Sequence, residues 1–172
     1  ANYKGFQHTS QESYKNCSIV GQPFLYGDNV TFEGCTFEQE SADAYNVWTY
    51  GADPVAFNNC TFNCAGKSVL IYAEDATISN TVTVNGCAFN ASAPVDGKAA
   101  IEMDSSLTAG INLTITGSTA TGFDNGNISG NSLWNNKKGQ TTDKNNDITV
   151  VVNGETVLAP VTFVAQIGDI KY

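Results

Sequence analysis

Five ionisable side chains near the middle of the chain are of types that do chemistry together: Glu74, Glu102 and Asp104 are carboxyl groups, and Lys67 and Lys98 occupy the equivalent phrases GKS and GKA. Two neighbouring carboxyls can act as acid and nucleophile in glycoside hydrolysis, and carboxylates that hold calcium can bind an acidic sugar while a lysine abstracts a proton. The same residues also suit a solvated strand surface that does no chemistry. The choice depends on what else stands on that surface.

Aromatic residues stand there. The phrases PFLYGD, NVWTYGAD, SVLIYAED, KAAIEMD and NSLWNNK each read as one short strand. With Val47, Thr49 and Gly51 facing inward, strand alternation turns Trp48 and Tyr50 outward. The same count turns out Tyr72 and Glu74, then Glu102 and Asp104, which makes Glu74 and Asp104 neighbours and puts Tyr26 and Trp134 in register with the tyrosines. The expectation is a row of Tyr26, Tyr50, Tyr72 and Trp134, flanked by Trp48 and interrupted by Glu102. Flat exposed rings at a fixed spacing stack on sugar rings or anchor a protein partner.

A repeated phrase must position these strands. YKNCSI (residues 14–19), VTFEGCTF (30–37), VAFNNCTF (55–62) and VTVNGCAF (82–89) share one pattern, and LTITGSTA (113–120) keeps it with Ser118 in the cysteine's place. Cys17, Cys35, Cys60, Cys87 and Ser118 lie 18, 25, 27 and 31 residues apart in turn. Such a period marks a solenoid, whose single repeat cannot bury its own apolar face. Each copy alternates on both sides of one residue able to take positive φ, namely Asn16, Gly34, Asn59, Gly86 or Gly117, so two strands meet at a sharp corner there. A third strand follows each copy after a variable, polar loop, where most of the length variation must sit because insertion there costs little.

If repeats stack in register, like residues form inward columns: Val30, Val55, Val82, Leu113 and Ile148; Phe32, Phe57, Val84, Ile115 and Val150; and Ile19, Phe37, Phe62, Phe89 and Ala120. The cysteines Cys17, Cys35, Cys60 and Cys87 form another, expected to be mostly free thiols because parallel side chains suit a disulfide's torsion poorly; Cys64 stands outside that column. The single histidine, His8, is remote from them, so zinc has no ligand set.

Three strands per repeat, corner Asn or Gly, and identical inward columns resemble the right-handed parallel β-helix of the pectate-lyase-like superfamily. The likeness is greatest to the non-catalytic repeats of bacterial secreted and cell-surface proteins, and it covers nearly the whole chain. It implies an all-β solenoid of about five coils over residues 1–172: a cap at 1–12, regular coils at 13–121, a polar loop with one rung strand at 122–147, and a hairpin-like cap at 148–172, where Asn153-Gly154 makes the turn. A β-sandwich explains the shared wording less well. Enzymes of that superfamily are lyases, which commonly use arginine or lysine beside a calcium cluster, and glycosidases, which carry several aspartates with a histidine; this chain has no arginine, and His8 is remote. An outward threonine column (Thr31, Thr83, Thr114, Thr149) resembles ice-binding faces but is broken at Ala56, and a spacer or fibre segment is a further reading.

With 8 basic and 17 acidic residues the net charge is −9, which leaves no basic patch for nucleic acid. No apolar run is long enough to span a membrane. Low charge density, abundant Asn, Thr and Gly, and six sequons at Asn16, Asn29, Asn59, Asn90, Asn112 and Asn127 point outside the cell, although Asn16 and Asn59 are corner residues. The expectation is therefore a secreted or surface recognition module for a glycan or a protein surface, without cofactor save for a weak calcium candidate at Glu74, Glu102 and Asp104.

Overall fold

The computed structural model describes residues 11–26, 28–72, 79–104, 110–126, 129–136 and 148–160. His8 and Glu74 lie outside the described residues, as does most of the expected N-terminal cap. The strands come in successive groups. The first is β1 (Glu12–Lys15) and β2 (Ser18–Val20); the second is β3 (Asp28–Glu33), β4 (Thr36–Gln39) and β5 (Val47–Tyr50); the third is β6 (Asp53–Asn58), β7 (Thr61–Cys64) and β8 (Val69–Tyr72). Then come β9 (Asn80–Asn85), β10 (Ala88–Ala91) and β11 (Ile101–Asp104), next β12 (Ile111–Thr116), β13 (Thr119–Thr121) and β14 (Trp134–Asn136), and finally β15 (Ile148–Val152) and β16 (Glu155–Leu158).

Each sheet takes one strand from each of the four three-stranded groups, while β1 and β2 extend the first two sheets and β15 and β16 both join the first. One runs β1-β3-β6-β9-β12-β15-β16, a second β2-β4-β7-β10-β13 and a third β5-β8-β11-β14, with every pairing parallel except the β15–β16 hairpin. The chain therefore passes through three sheets and returns one rung further along, which is a β-solenoid. Parallel sheets bury one face against the others, and the inward columns supply that face.

The corners explain why the strands turn where they do. Asn16, Gly34, Asn59, Gly86 and Gly117 have φ of 51°, 62°, 52°, 63° and 57°. A β-branched side chain in that left-handed region is heavily penalised, so the position admits only glycine or asparagine here. Stacking adds a second restriction, because a Cβ on Gly34 would stand 2.5 Å from Asn16 Oδ1, and one on Gly86 would stand 2.6 Å from Asn59 Oδ1. Asn153 (φ 50°) extends the column: its Oδ1 accepts from Gly117 N at 2.9 Å while Asn153 and Gly154 turn the hairpin.

Inside, the phenylalanines stack face to face. Phe37–Phe62 and Phe62–Phe89 centroids lie 4.6 and 4.7 Å apart, Phe32–Phe57 5.4 Å, and Tyr14 continues the latter column at 5.0 Å from Phe32. Phe32 and Phe37 also meet edge to face at 5.2 Å, which locks the two columns together. The last rung differs from the expected register: Val150 pairs with Leu113, Val152 with Ile115, and Ile148 with Ile111, so the columns end on Val150 and Val152. Thr149 consequently opposes Asn112, and the threonine row Thr31-Ala56-Thr83-Thr114 ends on Val151. The run ITVVV is apolar at four of five positions, so alternation alone could not choose between registers two residues apart.

All five cysteines are free, with Cys35, Cys60, Cys64 and Cys87 buried and Cys17 half-buried. Each thiol of the column reaches the carbonyl two residues back, at 3.4 to 3.5 Å, and Ser118 Oγ does the same at 3.1 Å. Cys35, Cys60 and Cys87 also reach the carbonyls of Tyr14, Phe32 and Phe57 on the preceding rung. Cysteine here is a small buried donor that ties a corner to its neighbour. Burial pushes the Cys35 and Cys64 thiols up, and a hydrogen bond to Cys87, then burial, raises Cys60 further, which keeps them protonated and unreactive.

Two outcomes follow. Truncation by Phe62→Ala removes the ring shared by two stacks and should lower the unfolding free energy by about 3–5 kcal/mol, read from urea titration. Ellman's reagent at pH 8 should label Cys17 quickly in the native protein and the other four thiols only after denaturation.

Candidate functional site

The third sheet carries the outward aromatic face. Its register aligns Trp48 with Leu70, Glu102 and Asn135, and Tyr50 with Tyr72 and Asp104. A bridge from Phe24 to Trp48 extends the first row backwards, and the Tyr26 ring, 5.1 Å from Tyr50, extends the second. Val47 and Thr49 are buried beneath, as alternation requires. Tyr26, Trp48, Tyr50 and Tyr72 therefore stand together, joined by Phe24, which sequence reasoning passed over although it lies in the same PFLYGD phrase.

The rings lean on one another rather than standing separately in solvent. Tyr50 and Tyr72 stack at 5.4 Å and 24°, Trp48 and Tyr72 at 6.0 Å and 27°, and Phe24 meets Trp48 edge to face at 5.0 Å and 81°. Trp48 Nε1 is shielded from solvent and has no hydrogen-bond partner among the described residues.

Trp134 is not part of this row. It pairs with Ile101, in the inward column of Val47, Val69 and Ile101, and is buried. NSLWNNK holds no clean alternation, so the register of β14 could not be read from it. Glu102 is the second correction: it points away from the core as counted, yet it is fully buried, because the chain before β11 folds over it. Ala99 N donates to its Oε1 at 2.8 Å, and Asn135 Nδ2 donates to its Oε2 at 3.1 Å. A buried carboxylate needs such donors. The third correction concerns rung partners: Asp104 opposes Tyr72, which holds the place expected for Glu74. Of the calcium candidates, Glu102 has both oxygens engaged and Glu74 lies outside the described residues; no metal-holding group of three His, Cys, Asp or Glu occurs among those described.

Asp104, Lys67 and Lys98 do come together with the aromatic residues. A groove of about 510 Å³ is lined by Tyr45, Trp48, Tyr50, Lys67, Leu70, Tyr72, Lys98 and Asp104. Lys67 Nζ stands 5.9 Å from the Tyr45 ring centre. Burial, with smaller contributions from Glu102 and Asp104, pushes the Tyr45 phenol well above its ordinary value, so Tyr45 is a neutral hydroxyl under all working conditions. A second, shallower groove of about 270 Å³ adjoins the first and is lined by Phe24, Tyr26, Trp48 and Tyr50. Tyr45 and Asn135 escaped sequence reasoning because each lies where loop folding, rather than strand period, decides what it touches. No helix among the described residues is long and apolar enough to cross a membrane.

No protein-family model matches the chain, and no curated protein or solved structure matches it.

Glu102→Ala would leave two buried donors unsatisfied, at about 1–3 kcal/mol each, and should cost about 2–6 kcal/mol of stability in urea unfolding.

Proposed function

We propose that this chain is a right-handed β-helix of about five coils, displayed outside the cell, which recognises a glycan in the larger groove and does not transform it. The observation that carries this reading is the composition of that groove: Trp48, Tyr50 and Tyr72 rings beside Lys67, Lys98, Asp104 and the Tyr45 hydroxyl. A pyranose ring has an apolar face and a rim of hydroxyls, and it needs an aromatic wall together with convergent hydrogen-bonding groups. Both stand within one concavity here. The acid pair that hydrolysis would require is divided, since Glu102 is committed to Ala99 and Asn135 while Asp104 lines the groove. This supports recognition over catalysis. The exposed Asn90 and Asn112 sequons are compatible with an extracellular setting.

A glycan array should show binding to one class of sugar, reduced about tenfold in Tyr72→Ala, where a stacking contact is lost. No binding to any sugar, with Trp48→Ala and Tyr72→Ala attaching to cells as the native chain does, would reject the reading. Release of reducing or unsaturated sugar from a uronate polymer, abolished by Lys98→Ala, would replace it with an enzyme.

A further inference from the structure

The thiol column sets soft-metal ligands at a spacing that the fold fixes. Thr36 N donates to Cys17 O, Thr61 N to Cys35 O and Ala88 N to Cys60 O, so the cysteines follow one another rung by rung. Successive side chains leave the sheet in the same direction, about 4.8 Å apart. A disulfide suits this badly, because its sulphurs must close to about 2.05 Å with a torsion near 90°, and parallel side chains hold that torsion near zero. A cation between two sulphurs asks for something else. Two metal–thiolate bonds of about 2.3 Å span about 4.6 Å in a straight line, and a straight bridge imposes no torsion.

Sulphurs of neighbouring rungs do face one another, since the Cys60 and Cys87 thiols share a hydrogen bond. The backbone also prepares each sulphur as a ligand. Hydrogen bonds from the backbone of Cys17 to Cys35 Sγ, of Cys35 to Cys60 Sγ and of Cys60 to Cys87 Sγ all favour the thiolate. Where serine stands in the column, the corresponding bond runs from Cys87 N to Ser118 Oγ at 3.0 Å.

Access selects the pair. Cys60 and Cys87 are only 1% and 2% exposed, whereas Cys17, at the start of the column, is half-buried and stands one rung from the buried Cys35. Ligand number selects the metal. Zinc asks for four ligands, and no group of three suited to a metal occurs among the described residues, as befits a column that offers its sulphurs in pairs. Two thiolates suffice for a soft monovalent cation of closed shell, and thiolate ligands select copper(I).

We propose that Cys17 and Cys35 form a two-coordinate site for copper(I), held between sulphurs of adjacent rungs. Both thiol protons pass to solvent as two sulphur–copper bonds form, and no electron moves. The site sits at the corners that precede β2 and β4, and no residue of either aromatic groove takes part, so it stands apart from the glycan reading.

Copper(I) is added without oxygen to the reduced native chain in excess glutathione, the small molecules are removed, and bound copper is counted. One copper per chain is expected, with two sulphur neighbours by X-ray absorption and loss of the fast Ellman's labelling of Cys17. Cys17→Ser and Cys35→Ser should each weaken retention by about tenfold or more, since even the loss of a group that only supports a ligand costs that much. Cys64→Ser, outside the column, should retain the metal. Ser118 already makes the column's bonds, so serine variants should fold, which circular dichroism checks. The sulphur count is read on the native chain and stands even if a variant does not fold. No retained copper, a copper with other than two sulphur neighbours, or retention unchanged in folded Cys35→Ser would overturn the proposal.

Discussion

Everything in this molecule depends on one constraint: successive strands of a sheet lie about 4.8 Å apart and in register, so a residue's nearest neighbour is its counterpart one repeat away. Phe37, Phe62 and Phe89 satisfy that spacing with stacked rings at 4.6 and 4.7 Å. The corner follows from the same constraint, since a turn must fall at the same place in each rung for the strands after it to align. Asn16, Gly34, Asn59, Gly86 and Gly117 meet that demand with backbone torsions alone, and the asparagine side chains close the gap above their glycine neighbours.

The two strands flanking each corner were legible because both alternate around it and their phrases recur with little change. The same recurrence exposed the thiol column, where Ser118 replaces cysteine and keeps the same bond to the carbonyl two residues back. The third strand was less legible. Its register is set by loops of unequal length on either side, and no shared corner anchors it. Tyr50 and Tyr72 were placed correctly because VWTY and VLIY share their alternation, whereas SLWN offered no second copy to align, and Trp134 fell in the row of Val47, Val69 and Ile101, three positions before the tyrosine row in which it was counted.

Glu102 shows a different limit. Strand period tells which way a side chain leaves the sheet, and for Glu102 it did so correctly. It does not tell what lies beyond the sheet. Residues before β11 cover this stretch, and Asn135 on the next rung supplies an amide, so an outward carboxylate became a buried acceptor. The row Phe24, Trp48, Leu70, Glu102, Asn135 accordingly changes from aromatic to aliphatic to polar along one line of rungs. A solenoid core needs like on like; its outer rows do not, so chemistry can change from rung to rung along them.

Ring contacts across rungs bear on recognition as well as on stability. Binding loses affinity when exposed side chains must be ordered, at about 0.5–1.5 kcal/mol for each immobilised side chain. Trp48, Tyr50 and Tyr72 each touch the other two, and Phe24 braces Trp48 and Tyr50 from the adjoining rung. Their conformations are therefore limited by folding itself. Beneath them β8 pairs with β5 and β11, and β5 is tied on its other side through Trp48 to Pro23 and Leu25, which holds the backbone as well. The walls of both grooves are in place in the folded chain, so the ordering cost that mobile exposed side chains would add to binding is small here.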